Sequence, residues 1–358
     1  MQASDIARIR LFNQQISTQR FKTPADLVAW MAGLQAQDYS AVKWAAGLRL
    51  PVATEASIEQ AVADKAILRT WCMRGTIHLV APADARWLVD LTAERLIASA
   101  RLAHRNLGLD AAVFAASRKV FARALGGGQA LERHALYALL EDAGISTAGQ
   151  RGYHLLVHAG LQGQICFGPL SGRQPTFTLL EAWAPQAKTL PREEAAANLA
   201  CRYFSSRGPA TLTDFIWWSS LAPAEARAAH AAVRSEFVEE LIDGQSYWLS
   251  PDAGPSASKA TDLHLLPGFD EYLLGYKNRD PVLDPRLAPE IAPYKNGIFQ
   301  PIIVVESRIV GTWKRTLGKQ RVEITARPFT DLGKAAREAF GAAAAHYGGF
   351  LGFPVDLA

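Results

Sequence analysis

The chain has 358 residues, of which 49% are apolar, with three cysteines and a formal net charge of +4. That length is too great for one small core and fits two to four modules. There is no run of about 18 apolar residues, the length a membrane helix needs, and the polar start MQASDIARIRLFNQQ lacks the apolar stretch of a signal peptide. The expectation is a cytoplasmic protein without membrane contact. Cys72, Cys166 and Cys201 are odd in number and far apart, which argues against a disulfide framework.

In chain order, TPADLVAWMAGL reads as a helix from Thr23, SIEQAVADKAIL as a second helix, and RTWCMRGTIHLV as a strand. Alternation puts Arg74, Thr76 and His78 on one face of that strand. With Arg69 they form a candidate row for a phosphate backbone, the plain alternative being a polar sheet face. Between the two helices lies GLQAQDYSAVKW. Gln35 and Gln37 stand where an apolar face should continue, and a carboxamide neither gains nor loses a proton near neutrality. One reading is that they cap the Thr23 helix and bridge it to the next element. Asp38 can ionise, so it is either a competing general base or the cap of the following turn.

The second segment is more regular. LERHALYALLEDAGI has a helical period and stops at Gly144. STAGQRGYHLLVHAGLQG follows as a helix with Ser146 or Thr147 as N-cap. QICFGPLSGRQPTFTLL reads as a hairpin with a Gly/Pro/Ser loop. The third segment repeats the order. REEAAANLACRYFSS, TLTDFIWWSSL and PAEARAAHAAV are helices, and FVEELIDGQSYWL is a hairpin around Asp243-Gly244. Helix, turn, helix and hairpin is the winged-helix order, whose second helix is the usual one to meet DNA. Trp217 and Trp218 read as core.

From about Lys259 the texture becomes β, closing with the helix DLGKAAREAFGAAAAHYGGFLG. The fold expected is therefore α+β, with winged helices at 1–105, 106–188 and 189–256 and a small β-barrel or sheet module with a terminal helix at 257–358. Within the last module, FDEYLLGYKNRD offers Lys277 and Arg279 for phosphate, and Asp270 and Glu271 for docking the module. GTWKRTLGKQR is a basic hairpin in which Trp313, Lys314 and Arg315 are candidate DNA contacts.

Charge supports a polyanionic partner. Residues 308–327 hold six basic side chains against Glu323, and residues 95–123 hold six against Asp110. Such binding should weaken steeply with salt. His154 and His158, spaced i, i+4, read as structural rather than as metal ligands. No phosphate loop or dinucleotide fingerprint follows a strand, so neither metal nor cofactor is expected.

Five stretches in order, LQAQDYSAVKWAAGLR, RTWCMRGTIHLV, RGPATLTDFIWWSSL, LPGFDEYLLGYKNRD and IVVESRIVGTWKR, make the chain resemble the AlkZ-like DNA glycosylases. The resemblance covers nearly the whole chain. It implies three tandem winged helices and a β-barrel in a C-shaped molecule with DNA in its concave channel. It also implies base-excision repair of alkylated purines in double-stranded DNA, mainly at N7 of guanine and including interstrand crosslinks, by a monomer. It carries a catalytic Gln-apolar-Gln motif onto Gln35-Ala36-Gln37, and it implies a hairpin near the minor groove. A related branch has aspartate at the second glutamine. The glutamines offer no amine, so no lyase step is expected. The competing class is a non-catalytic winged-helix DNA-binding protein or transcription factor.

Overall fold

The computed structural model describes residues 2–254, 262–293 and 297–358. In chain order it forms α1 (Ala3–Asn13), α2 (Pro24–Met31), β1 (Leu34–Gln35), α3 (Tyr39–Gly47), α4 (Glu55–Ala63), β2 (Leu68–Trp71), β3 (Ile77–Val80), α5 (Ala85–Ser99), α6 (Arg101–Asn106) and α7 (Ala111–Ala124). There follow β4 (Leu131–Glu132), α8 (Arg133–Asp142), α9 (Arg151–Leu161), β5 (Ile165–Ser171), β6 (Gln174–Leu179), α10 (Leu180–Trp183), α11 (Arg192–Arg207), α12 (Leu212–Ser219), α13 (Pro223–Val233), β7 (Val238–Ile242) and β8 (Gln245–Leu249). The last elements are β9 (Leu263–Leu266), α14 (Glu271–Leu274), α15 (Ala288–Ile291), β10 (Ile302–Val305), β11 (Arg308–Leu317), β12 (Val322–Pro328), α16 (Lys334–Leu351) and β13 (Val355–Leu357). The fold is mixed α+β. It divides into two compact units, one made of Met1–Ile58 with Ala197–Ala358 and the other of Glu59–Ala196.

In the unit Glu59–Ala196, antiparallel strands run in the order β3-β2-β5-β6-β4. A core of Trp71, Phe114, Phe121, Leu136, Leu155, Phe167 and Phe177 fills the space between sheet and helices. RTWCMRGTIHLV is not one strand. It is the hairpin β2–β3 closed by a tight turn, Met73–Gly75, in which Arg74 has φ +58°. Gly75, at φ +69°, completes the turn, and the alternation expected across it is lost. The N-cap of α9 is Gln150 rather than Ser146 or Thr147. Thr147 instead donates its amide and hydroxyl to Glu141, at 2.5 and 2.6 Å. Gly168 and Pro169, read as loop, lie inside β5 at a register shift, and the chain reverses at Gly172 with φ +60°.

The rings of His104 and His154 lie 5.2 Å apart, those of His104 and His158 6.0 Å, and His158 stacks on Phe114 at 3.7 Å. Among the described residues no group of three His, Cys, Asp or Glu side chains stands in metal-holding geometry. Burial first, then the charges of His104 and Arg118, push the His158 pKa down from 6.5 to about 4. A histidine depressed in the folded state stays neutral there while the unfolded chain takes up its proton, so stability falls as pH drops from about 6.5 toward about 4. His158→Gln is expected to flatten the fall in melting temperature between pH 7 and pH 4.5, as differential scanning calorimetry will read. An unchanged slope would assign the acid sensitivity elsewhere.

In the other unit, α11, α12 and α13 lead into the hairpin β7–β8. Asp243 (φ +48°) and Gly244 (φ +76°) make the two-residue turn that the sequence promised. The later strands form a sheet in the order β13-β12-β11-β10-β9, antiparallel except for β12–β13, with its two edges not joined among the described residues. The sheet is thus open rather than a closed barrel. Helix α16 covers it through Tyr347 and Phe350, whose rings pack on Trp44 of α3 at 4.9 and 5.1 Å. A Cβ at Gly47 would lie 2.4 Å from the Phe350 ring, so only glycine lets α3 and α16 approach this closely. The expected boundary at 256/257 and the onset of β texture at Lys259 lie outside the described residues. Among the described residues no helix is long and apolar enough to cross a membrane.

Candidate active site

Two helices frame the glutamine segment. Helix α2 begins at Thr23, whose side chain accepts from the Asp26 amide at 3.1 Å, with Pro24 in the first turn. It ends at Ala32 (φ +51°) and Gly33 (φ +129°), which swing the chain into β1. Leu34 and Ala36 are 1% and 0% exposed, whereas Gln35 is half-buried and Gln37 exposed. Burial thus alternates along the segment, with both glutamines more accessible than the apolar residues before them. Neither glutamine is the cap of α2 or of α3.

Asp38 is that second cap. It is exposed and precedes α3, and its Oδ1 accepts from the Ala41 amide at 3.0 Å. Losing a capping aspartate costs about 1 kcal/mol. Asp38→Ala is therefore expected to lower thermal stability slightly and keep base excision within a few-fold of wild type. Asp38→Asn should preserve both, because asparagine also caps. Loss of excision in the asparagine variant would restore Asp38 as a general base.

Of the other sequence candidates, Arg315 reaches the first turn of α3. Its Nη2 donates to Ser40 Oγ at 2.6 Å, and its guanidinium also bonds the Tyr347 hydroxyl. Lys314, its neighbour on β11, is exposed. Trp313 is not a surface contact. It is 3% exposed, with its indole N–H donating to the Leu266 carbonyl at 2.8 Å, so strand alternation turns it into the core. Lys277 is exposed, and its amide donates to Asp214 Oδ1 at 2.9 Å. Arg279 lies over the rings of Phe299 and Trp217, at 5.0 and 5.4 Å. Trp218 is fully buried, as expected, but Trp217 is only half-buried.

The four candidates on β2–β3 belong to the unit Glu59–Ala196. Arg69, 6% exposed, sits over the Phe167 ring at 4.7 Å, and His78 is 0% exposed with Nδ1 3.1 Å from the Thr76 carbonyl oxygen. Neither is placed as a surface contact. Arg74 and Thr76 are half-buried, and Arg74 Nη2 lies 3.3 Å from His78 Nε2. The turn, not strand alternation, brings those two together.

Sequence reasoning missed the two buried cations that surround the FDE stretch. Arg49 makes a two-point contact with Asp270, at 2.9 and 2.8 Å, and Arg207 does the same with one oxygen of Glu271, at 3.0 and 2.8 Å. All four side chains are at most 1% exposed. The expected docking role of Asp270 and Glu271 therefore holds, through arginines that no periodicity singles out.

Comparison with known proteins agrees with this architecture. The family described as "DNA glycosylase AlkZ-like" matches residues 28–350. The "Interstrand DNA cross-link repair glycosylase" of Streptomyces sahachiroi is 28% identical over 352 residues, covering 94% of this chain and 93% of that protein. The solved structure of Streptomyces sahachiroi DNA glycosylase AlkZ superposes with a TM-score of 0.82 at 26% identity, covering 100% of both chains. The chain belongs to the AlkZ-like DNA glycosylase family, enzymes that hydrolyse N-glycosyl bonds.

Proposed function

We propose that the protein is a monofunctional glycosylase that hydrolyses the N-glycosidic bond of N7-alkylguanine in double-stranded DNA, interstrand crosslinks included, with Gln35 and Gln37 as its catalytic pair. The observation that carries this reading is the alternation of burial along residues 34–37, in which Gln35 and Gln37 are less buried than Leu34 and Ala36, beside an aspartate already engaged as a helix cap. A neutral base leaves as an anion and needs a proton from the enzyme. An N7-alkylated guanine already carries positive charge and departs neutral. What remains is to stabilise an oxocarbenium-like sugar and to place water beside C1′. A carboxamide oxygen faces positive charge or accepts from water, and its NH₂ donates, so two amides suffice. Alternate residues of an extended segment lie about 7 Å apart, room for one water between their side chains.

On this reading Lys277, Arg279, Lys314 and Arg315 serve the DNA backbone, with Arg74 and Thr76 on β2–β3 as further contacts. The helix–helix–hairpin runs at α8–α9–β5–β6 and α11–α12–α13–β7–β8 are winged helices, and the protein works as a cytoplasmic monomer. The 28% identical relative, named for interstrand cross-link repair, supports the crosslink as a substrate class.

Selectivity follows from the chemistry. Positioned dipoles contribute about 10²–10³ in rate, enough for a bond already weakened by alkylation. Duplexes carrying one N7-methylguanine should yield alkali-labile sites, while matched duplexes with uracil or unmodified guanine should not. Comparable cleavage of the undamaged bases would sink the reading. Tight binding without abasic product would favour a DNA-binding protein.

A further inference from the structure

One buried ion pair touches the glutamine segment at three points. Glu271 Oε2 accepts from Arg207 Nε and Nη2 at 3.0 and 2.8 Å and from the Trp218 indole N–H at 2.8 Å. Its Oε1 accepts the backbone N–H of Gln35 at 3.3 Å. Arg207 donates onward, from Nη1 to the Met31 carbonyl at 2.7 Å and from Nη2 to the Gly33 carbonyl at 3.0 Å. Two carbonyls and one amide between Met31 and Gln35 are thus held by a single charge pair.

We propose that Arg207 and Glu271 are positioning residues for catalysis: they fix the turn at Ala32–Gly33 and so set the direction in which Gln35 and Gln37 project. The inference rests on reading those glutamines as the catalytic pair. Ala32 has a left-handed backbone that non-glycine residues resist, and β1 is only two residues long. The segment needs outside restraint to hold this path. A buried ion pair is by itself poor evidence of stabilisation, but here three of its further hydrogen bonds converge on residues 31–35, the others going to Trp218 and Ser206. Glu271 is not itself a base, because it is 1% exposed and both its oxygens are engaged. Amide catalysis is sensitive to placement, since a shift of about 1 Å costs about 10²-fold.

The neighbouring Arg49–Asp270 pair is an internal control. It is equally buried, and the other bonds of Arg49 run to the Gln14 and Ala45 carbonyls and to Gln14 Oε1, away from residues 31–37.

The test is single-turnover excision of N7-methylguanine from a duplex by wild type, E271Q, D270N, Q35A/Q37A and Q35A/Q37A/E271Q, with DNA affinity and melting temperature measured for each. The expected result is a fall of roughly 10- to 100-fold in the E271Q rate constant with DNA affinity unchanged. D270N should share the loss of thermal stability and keep its rate. E271Q should add nothing to Q35A/Q37A, because a positioning residue has nothing left to position. Equal slowing by D270N, or a full extra fall in the triple variant, would overturn the proposal. A slow glutamine variant beside an unaffected E271Q sinks the clamp alone. Glutamine variants that cleave like wild type remove the catalytic reading and the clamp with it. Should E271Q fail to fold, Trp218→Phe removes one donor to Glu271 and keeps an aromatic ring. The same ranking with a smaller fall is expected, and an unchanged rate would count against the clamp.

Discussion

Replacing Gln35 and Gln37 together by alanine is expected to lower excision of N7-methylguanine by about 10²–10³-fold, the worth of removing positioned dipoles from a charge-developing centre, while DNA affinity persists. Gln37 is exposed and Gln35 half-buried, so truncation leaves the strand's anchors, Leu34 and Ala36, in place. The variant should therefore fold, and the loss should lie in the rate rather than in binding. Each single replacement is expected to cause most of the fall, because two groups that hold one water act as a unit. The readout is the single-turnover rate from alkali-cleaved duplex on a denaturing gel, beside fluorescence anisotropy for binding. A double variant that still cleaves at the wild-type rate would place the chemistry on other residues.

The largest effect on stability is expected at Asp270. Truncation to alanine leaves the Arg49 guanidinium, 0% exposed, without its carboxylate. Removing one partner of a buried pair costs about 3–5 kcal/mol, since the remaining charge has neither water nor counter-ion. The Arg286–Asp284 pair is the useful contrast. Its contact is shorter, at 2.6 Å, yet the Arg286 side chain is 88% exposed. Truncating Asp284 should leave the urea unfolding curve nearly where it was, whereas Asp270→Ala should shift the transition of its unit strongly. Equal shifts would mean that burial is not what gives Asp270 its weight.

Patterns that repeat over short distances were readable from the sequence. The helices read at α8, α11 and α13, the starts at Thr23 and Pro223, and the Asp243-Gly244 turn appear where the residues put them. Order of elements and family motifs carried the α+β class. Elements decided by one residue's backbone were not readable. Nothing in RTWCMRGTIHLV announces that Arg74 adopts a left-handed conformation, so a hairpin reads as a strand and its alternation misleads. Trp313 shows the same limit: in a basic hairpin it reads as a DNA contact, but the strand's phase turns it inward. The site divides in the same way. Gln35 and Gln37 stand out as polar residues in an apolar context. Arg49 and Arg207 do not, because their partners lie 221 and 64 positions away in sequence.

The frame that carries the glutamines is interrupted in sequence by the whole unit Glu59–Ala196. That arrangement sets an order of events during synthesis. Arg10 leaves the ribosome 199 residues ahead of Pro209, whose carbonyl it binds, and Gln14 leaves 262 residues ahead of the Tyr276 hydroxyl. The inserted unit, whose strands β2, β3, β4, β5 and β6 pair among themselves, can close while residues 1–58 still wait for their counterparts. The glutamine segment is thus synthesised before the inserted unit, and the Arg207 and Glu271 side chains that hold it are synthesised after that unit.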